Sequence, residues 1–121
     1  MPDAPPFQCR FEFSEDGRTV TVVLIGKLDP VAIEELHPQV QEVYQAGVRR
    51  FVFDLSQMPY TGSLGIRLFL GLQNQLKGTG LLALCAPVPA VRGVFEMMKL
   101  TEVLPIYPTR EAALAAVQVP V

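Results

Sequence analysis

Ser63 stands in the segment Gly62-Ser63-Leu64-Gly65, between an apolar stretch, Phe51-Val52-Phe53-Asp54-Leu55, and a leucine-rich run that extends past Leu76. A serine on such a strand-to-helix turn has three chemical uses. It can cap the helix, its hydroxyl accepting from a first-turn amide that has no intrahelical partner. It can carry a phosphate, because the same free amides and the aligned peptide dipoles favour an anion at a helix N-terminus. It can also be a nucleophile on a sharp elbow, as in Gly-x-Ser-x-Gly hydrolases, but Thr61 occupies the first glycine position. The only histidine available as a base, His37, falls on a different helical stretch with no evident orienting partner. The chain is therefore not read as an enzyme, and cap and phosphoacceptor stay open. Cys9 and Cys85 lack Cys-x-x-Cys spacing and sit in apolar, strand-like surroundings. They read as reduced thiols acting as small core residues, and no metal or other cofactor is expected.

The elements that position Ser63 follow from pattern. Residues Phe7, Cys9, Phe11 and Phe13 alternate with polar neighbours, the period of a strand with one buried face. An Asp16-Gly17 turn and the β-branched run Thr19 to Ile25 complete a hairpin. From Pro30, capped by Asp29, the spacing of Ile33, Leu36, Val40, Val43 and Tyr44 predicts a helix ending at Gly47, with Pro38 expected to kink or break it near Leu36 and His37. The apolar strand from Phe51 to Leu55 suits a parallel position covered on both faces. The serine helix should end near Leu76 or Lys77, before Gly78-Thr79-Gly80. Leu81 to Cys85 is a fourth strand, Pro87 to about Leu100 a helix, Val103 to Tyr107 a short edge strand, and a last helix starts at Thr109. Strands alternating with helices after a hairpin imply one α/β domain over residues 1–121, with a mixed sheet, parallel in its C-terminal part, and about four helices. Residues 1–6 and 118–121 are expected to be flexible tails.

At 121 residues the chain can bury one core without staples. Ten basic against 12 acidic side chains give a net charge of -2, which offers no footprint for nucleic acid or an anionic membrane. No apolar run approaches the ~20 residues of a membrane-spanning helix, and residues 1–6 lack the basic and apolar regions of a signal peptide. A cytosolic protein with a protein partner is the expectation.

Advancing about 100° per residue from Leu64 groups Leu64, Gly65, Leu68, Phe69, Leu72 and Leu76 on an expected core face. The opposite arc carries Ser63, Ile66, Arg67, Leu70, Asn74 and Lys77, apolar and basic side chains rather than the Glu and Lys of a solvated face. Gly62, Ser63, Ile66, Arg67, Leu70 and Asn74 are accordingly the expected partner-binding residues, unless another element covers Ile66 and Leu70.

Four segments in order resemble the STAS domains, and among them the anti-sigma factor antagonists of bacterial partner-switching pathways. They are Gly26-Lys27-Leu28-Asp29-Pro30; the strand Phe51 to Leu55 with Ser56; Gly62-Ser63-Leu64-Gly65; and Val91 to Met98 continued by Glu111-Ala112-Ala113-Leu114. In the family the third segment reads Asp-Ser-Ser/Thr-Gly, and the resemblance aligns Ser63 with its phosphorylated serine and Gly65 with its glycine. Gly62 here replaces the aspartate, Leu64 the second hydroxyl residue, and Lys99 a frequent glycine. The resemblance implies a STAS sandwich and an antagonist that catalyses nothing itself. It would bind an anti-sigma factor with serine kinase activity, leave it when that kinase phosphorylates Ser63, and be reset by a phosphatase. The degenerate motif also admits a STAS interaction subunit that is never phosphorylated, within a signalling assembly or beside a transporter.

Overall fold

Alternation and β-branching become five strands in the computed structural model, which describes residues 6–121. These are β1 (Gln8–Phe13), β2 (Thr19–Ile25), β3 (Arg50–Gln57), β4 (Leu81–Cys85) and β5 (Ile106–Tyr107), in the spatial order β1-β2-β3-β4-β5. β1 and β2 pair antiparallel, as a hairpin must, and the remaining pairs are parallel. Four helices connect and cover them: α1 (Pro30–Gln45), α2 (Ser63–Leu76), α3 (Pro89–Met97) and α4 (Arg110–Ala116). The mixed sheet with four helices is the architecture expected of the sequence.

The two faces of the sheet are unequal. Val20, Val22 and Leu24 of β2, Phe51, Phe53 and Leu55 of β3, and Leu82 and Leu84 of β4 share a large core with side chains of α1, α2 and α3. Within it the Phe53 and Phe69 rings meet edge to face at 5.2 Å, a geometry the aromatic quadrupole favours. Alternate residues Val52, Ala83 and Cys85 point the other way, onto Ala113 and Val117 at the C-terminal helix. On that face Arg110 reaches from α4 to Asp54 of β3 and on to Glu12 of β1.

Several local expectations change. α1 runs through Pro38 without a break, because Pro38 and Glu34 both face solvent and the carbonyl deprived of its amide can be hydrated there. α3 stops at Met97, and Lys99 takes a left-handed conformation, φ 57°, at the position where a glycine would be at ease. The expected edge strand from Val103 shrinks to Ile106–Tyr107, since Leu104 is buried in a turn that follows a short 3-10 segment, Leu100–Glu102. Gln118 and Val119, expected to fray, are tied back: Gln118 donates to the Thr19 hydroxyl at 3.0 Å, and the Val119 carbonyl accepts from Arg50 at 2.8 Å. Residues 1–5 of the expected N-terminal tail lie outside the described residues. Among the described residues no helix is long and apolar enough to cross a membrane.

Candidate functional site

The serine turn is built by strand extension and then locked from the side. β3 continues to Gln57, where Gly26 of the β2–α1 loop donates to the Gln57 carbonyl at 3.0 Å. Two residues on, Leu28 donates to Tyr60 O at 2.9 Å and accepts from the Gly62 amide at 3.3 Å, a one-residue parallel bridge between Leu28 and Thr61. Met58 is fully buried beneath the turn, so its outer residues are held by both backbone bonds and packing. Gly65 fits because it has no side chain. A Cβ there would collide with Thr61 Oγ1 and lie 2.7 Å from Leu28 Cδ2.

Ser63 is the first helical residue of α2, and Gly62 is its N-cap. The cap reading of Ser63 is therefore replaced: Gly62 is extended and supplies no side-chain acceptor, unlike Asp29 of α1, whose carboxylate accepts from Ala32 N at 2.9 Å. Ser63 is exposed, and among the described residues its hydroxyl has no hydrogen-bond partner. The result is an unengaged hydroxyl at an uncapped, electropositive helix terminus whose first amides lack intrahelical acceptors.

Around it the expected partner surface is partly regrouped. Arg67 and Asn74 are exposed, Gly62 and Leu70 are half-buried, and Ile66 is buried at 6% exposure. Ile66 belongs to a stripe with Leu70 and Gln73, and Gln73 donates to Val103 O at 2.8 Å. That stripe faces the segment after α3 at Gln73, and Ile66 at its N-terminal end belongs to the main core rather than to the surface. Leu64, expected in the core, is 39% exposed instead. α2 lies between α1 and the α3 segment, so its buried arc is wide and centred nearer Phe69 and Leu76 than Leu64.

The outward face of α2 borders a groove of about 310 Å³ against α1, to which Leu64, Arg67 and Gly71 contribute from one side and Ile33 and His37 from the other. Gln41 and Gln75 close it with reciprocal amide bonds of 2.8 and 3.0 Å. Leu64, Tyr60 (50% exposed) and His37 are surface residues near Ser63 that the sequence reading did not select. The signal for Leu64 was present in its position immediately after the serine, at the very end of the helix where little can cover it. Arg67 forms no ion pair among the described residues. No hydrogen bond joins His37 to Ser63 there, and no group of three or more His, Cys, Asp and Glu side chains is placed to hold a metal.

Behind the turn, Asp54 anchors the end of β3. Burial pushes its carboxyl up, but the Ser56 amide at 2.9 Å and the Arg110 guanidinium at 2.7 Å outweigh that and hold it below the usual carboxylate range. Cys85 is fully buried; desolvation, with a smaller push from the Asp54 charge, raises its thiol to about 12, so it stays protonated and inert. Burial, and then the charge of Glu35, also raise Cys9.

Comparison with known proteins places this geometry in context. The family model for the STAS domain matches residues 10–113. A Bordetella bronchiseptica protein provisionally named anti-sigma factor antagonist BtrV is 36% identical over 102 residues, 84% of this chain and 87% of that protein. Among solved structures, the anti-sigma factor antagonist SpoIIAA in its unphosphorylated form superposes with a TM-score of 0.77 at 27% identity, covering 96% of this chain and 99% of that one. SpoIIAA described as a Bacillus cell fate determinant, in the phosphorylated form, gives 0.69 at 26% identity, covering 93% and 100%.

Proposed function

The chain belongs to the STAS domain family, and from that premise we propose that it is an anti-sigma factor antagonist whose partner is an anti-sigma factor with serine kinase activity. The observation that carries this reading is the state of Ser63: exposed, without a partner among the described residues, and first in a helix whose cap leaves the leading amides free. The antagonist name of a relative matched over most of both chains supports it, as does the likeness to a protein solved in both unphosphorylated and phosphorylated forms.

The unmodified surface presents Ser63, Leu64, Arg67 and Asn74 with the α1–α2 groove beside them, an apolar patch with one cation at its centre. A partner docking there places its nucleotide against the serine. ATP belongs to that partner. Transfer of the phosphoryl group adds nearly two negative charges. Arg67 is four residues after Ser63, so the phosphate and the guanidinium become neighbours on one helix face in the favourable orientation, anion toward the N-terminus. The modified surface is then neutralised at Arg67 and negative at its tip, and a partner selected for the free cation is repelled. A phosphatase restores the first state.

Gly62 supports a second reading. Without a carboxylate before the serine nothing among the described residues orients its hydroxyl, which suits an interaction subunit that is never modified. The two readings separate in one titration of the chain with its kinase-type anti-sigma factor. In the first, the complex forms without ATP and disperses as ATP is consumed; in the second, the complex persists with ATP present.

A further inference from the structure

At the far edge of the sheet, among the described residues, β1 pairs only with β2. The hairpin register fixes which of its backbone groups are free. Ser14 donates directly to Thr19 O at 2.9 Å, the residue opposite it. In an antiparallel ladder bonded and non-bonded pairs alternate, so Glu12, Arg10 and Gln8 direct their amides and carbonyls at β2, and those of Cys9, Phe11 and Phe13 point away from the sheet. The same odd-numbered residues carry the apolar side chains. Phe13 is 53% exposed, and Phe11 and Phe13 line an open groove of about 350 Å³ against Val43 and Val48, with Gln39 and Glu42 at its polar rim.

We infer that this edge pairs with β1 of a second copy of the chain, antiparallel and centred on Phe11. The free backbone groups allow only registers that set odd residues opposite odd residues, and the charges choose among them. Placing Cys9 opposite Phe11 of the other copy brings Arg10 against Arg10. Placing Phe11 opposite Phe13 brings Glu12 against Glu12. Centring on Phe11 sets Arg10 opposite Glu12 twice, stacks Phe11 beside its own copy, puts Phe13 beside Cys9, and gives every outward amide and carbonyl of these three residues a partner. Opposite charges directly across a ladder attract and like charges repel, so the register centred on Phe11 is favoured over its two neighbours, and registers slid further leave outward groups of these three residues unpaired. The pairing is isologous and uses up both β1 edges, while β5 has two residues, so the assembly closes at two chains. The two Ser63 ends point in opposite directions along the joined sheet, and each stays open to its own partner.

Sedimentation velocity over a concentration series tests this on the intact chain. Expected is a reversible monomer–dimer equilibrium in which Arg10→Glu and Glu12→Arg each weaken dimerisation about tenfold or more. An equimolar mixture of the two variants should associate again, because each then faces its opposite charge. Wild-type protein that stays monomeric throughout, or a dimer indifferent to both reversals, overturns the inference. Glu12 also accepts from Arg110 at 2.9 Å, so a readout without substitutions stands beside it. Amide exchange at Cys9, Phe11 and Phe13 should slow with rising protein concentration, and rates independent of concentration overturn the pairing.

Discussion

The Arg110 guanidinium donates to Asp54 Oδ2 through Nε at 3.1 Å and through Nη2 at 2.7 Å, tying the last helix to the end of the strand that delivers the serine turn. Asp54 is 6% exposed, and its other oxygen accepts from Ser56 N at 2.9 Å, so both lobes of the carboxylate are engaged on the way into the turn. The ion pair is thus part of the scaffold of the site rather than of its surface.

A pH dependence follows. Asp54 has its carboxyl held below the ordinary range in the fold, so its contribution is present above the unfolded pKa near ~4 and is lost as pH falls through the lower folded value. Asp54→Asn should cost about 1–3 kcal/mol at neutral pH. The same variant should flatten the loss of stability below pH ~4, and denaturant midpoints measured across that range check both statements.

Two glycines of one helix should respond in opposite directions to alanine. Gly65→Ala meets Thr61 Oγ1 and Leu28, and overpacking of about 1–3 kcal/mol exceeds the helix-propensity gain of ~1 kcal/mol. Gly71→Ala meets nothing within 4 Å and should stabilise by about 0.5–1 kcal/mol. Thermal melts of the two variants give the sign directly.

Ser63→Asp should separate fold from function. A carboxylate at the first helical position interacts well with the free amides, so the variant should be more stable than Ser63→Ala by about 0.3–1 kcal/mol. It should nonetheless bind the anti-sigma factor more weakly than Ser63→Ala does, as calorimetry with the partner would report. Equal affinities would remove charge as the switch.

In the proposed switch Arg67 is the cation that a phosphate on Ser63 would neutralise, so Arg67→Ala should weaken partner binding about tenfold and also shrink the affinity difference between Ser63→Asp and Ser63→Ala. A double-mutant cycle measures this coupling. Additive effects would show that the two positions act independently.

Much of this was legible in the sequence because it is local. The hairpin, the Asp29 cap and the apolar strand into Gly62-Ser63 each declare themselves within a few residues. What was not legible depended on neighbours distant in sequence. Ile66 is buried in the main core and Gln73 on the same flank is held by Val103, and no periodicity within α2 can reveal which flank a later element will cover. Leu64 begins a leucine repeat and so reads as core, yet it is 39% exposed at the rim of the groove against α1. Cap and phosphoacceptor stay open for Ser63 in the sequence, because the choice turns on the extended backbone at Gly62, which makes that residue the cap and leaves the serine hydroxyl one position inside the helix. Pro38 signals a break in the sequence, but a proline on the solvent side of a packed helix interrupts little, and α1 continues through it.

The most direct measurement is the intact and fragment mass of the chain after incubation with its kinase-type anti-sigma factor and ATP. One added phosphate, located on Ser63 and absent from the Ser63→Ala variant, is the expected result. Phosphate located elsewhere, or an unmodified chain while the kinase is active on another substrate, would contradict the assignment of Ser63 as the switch.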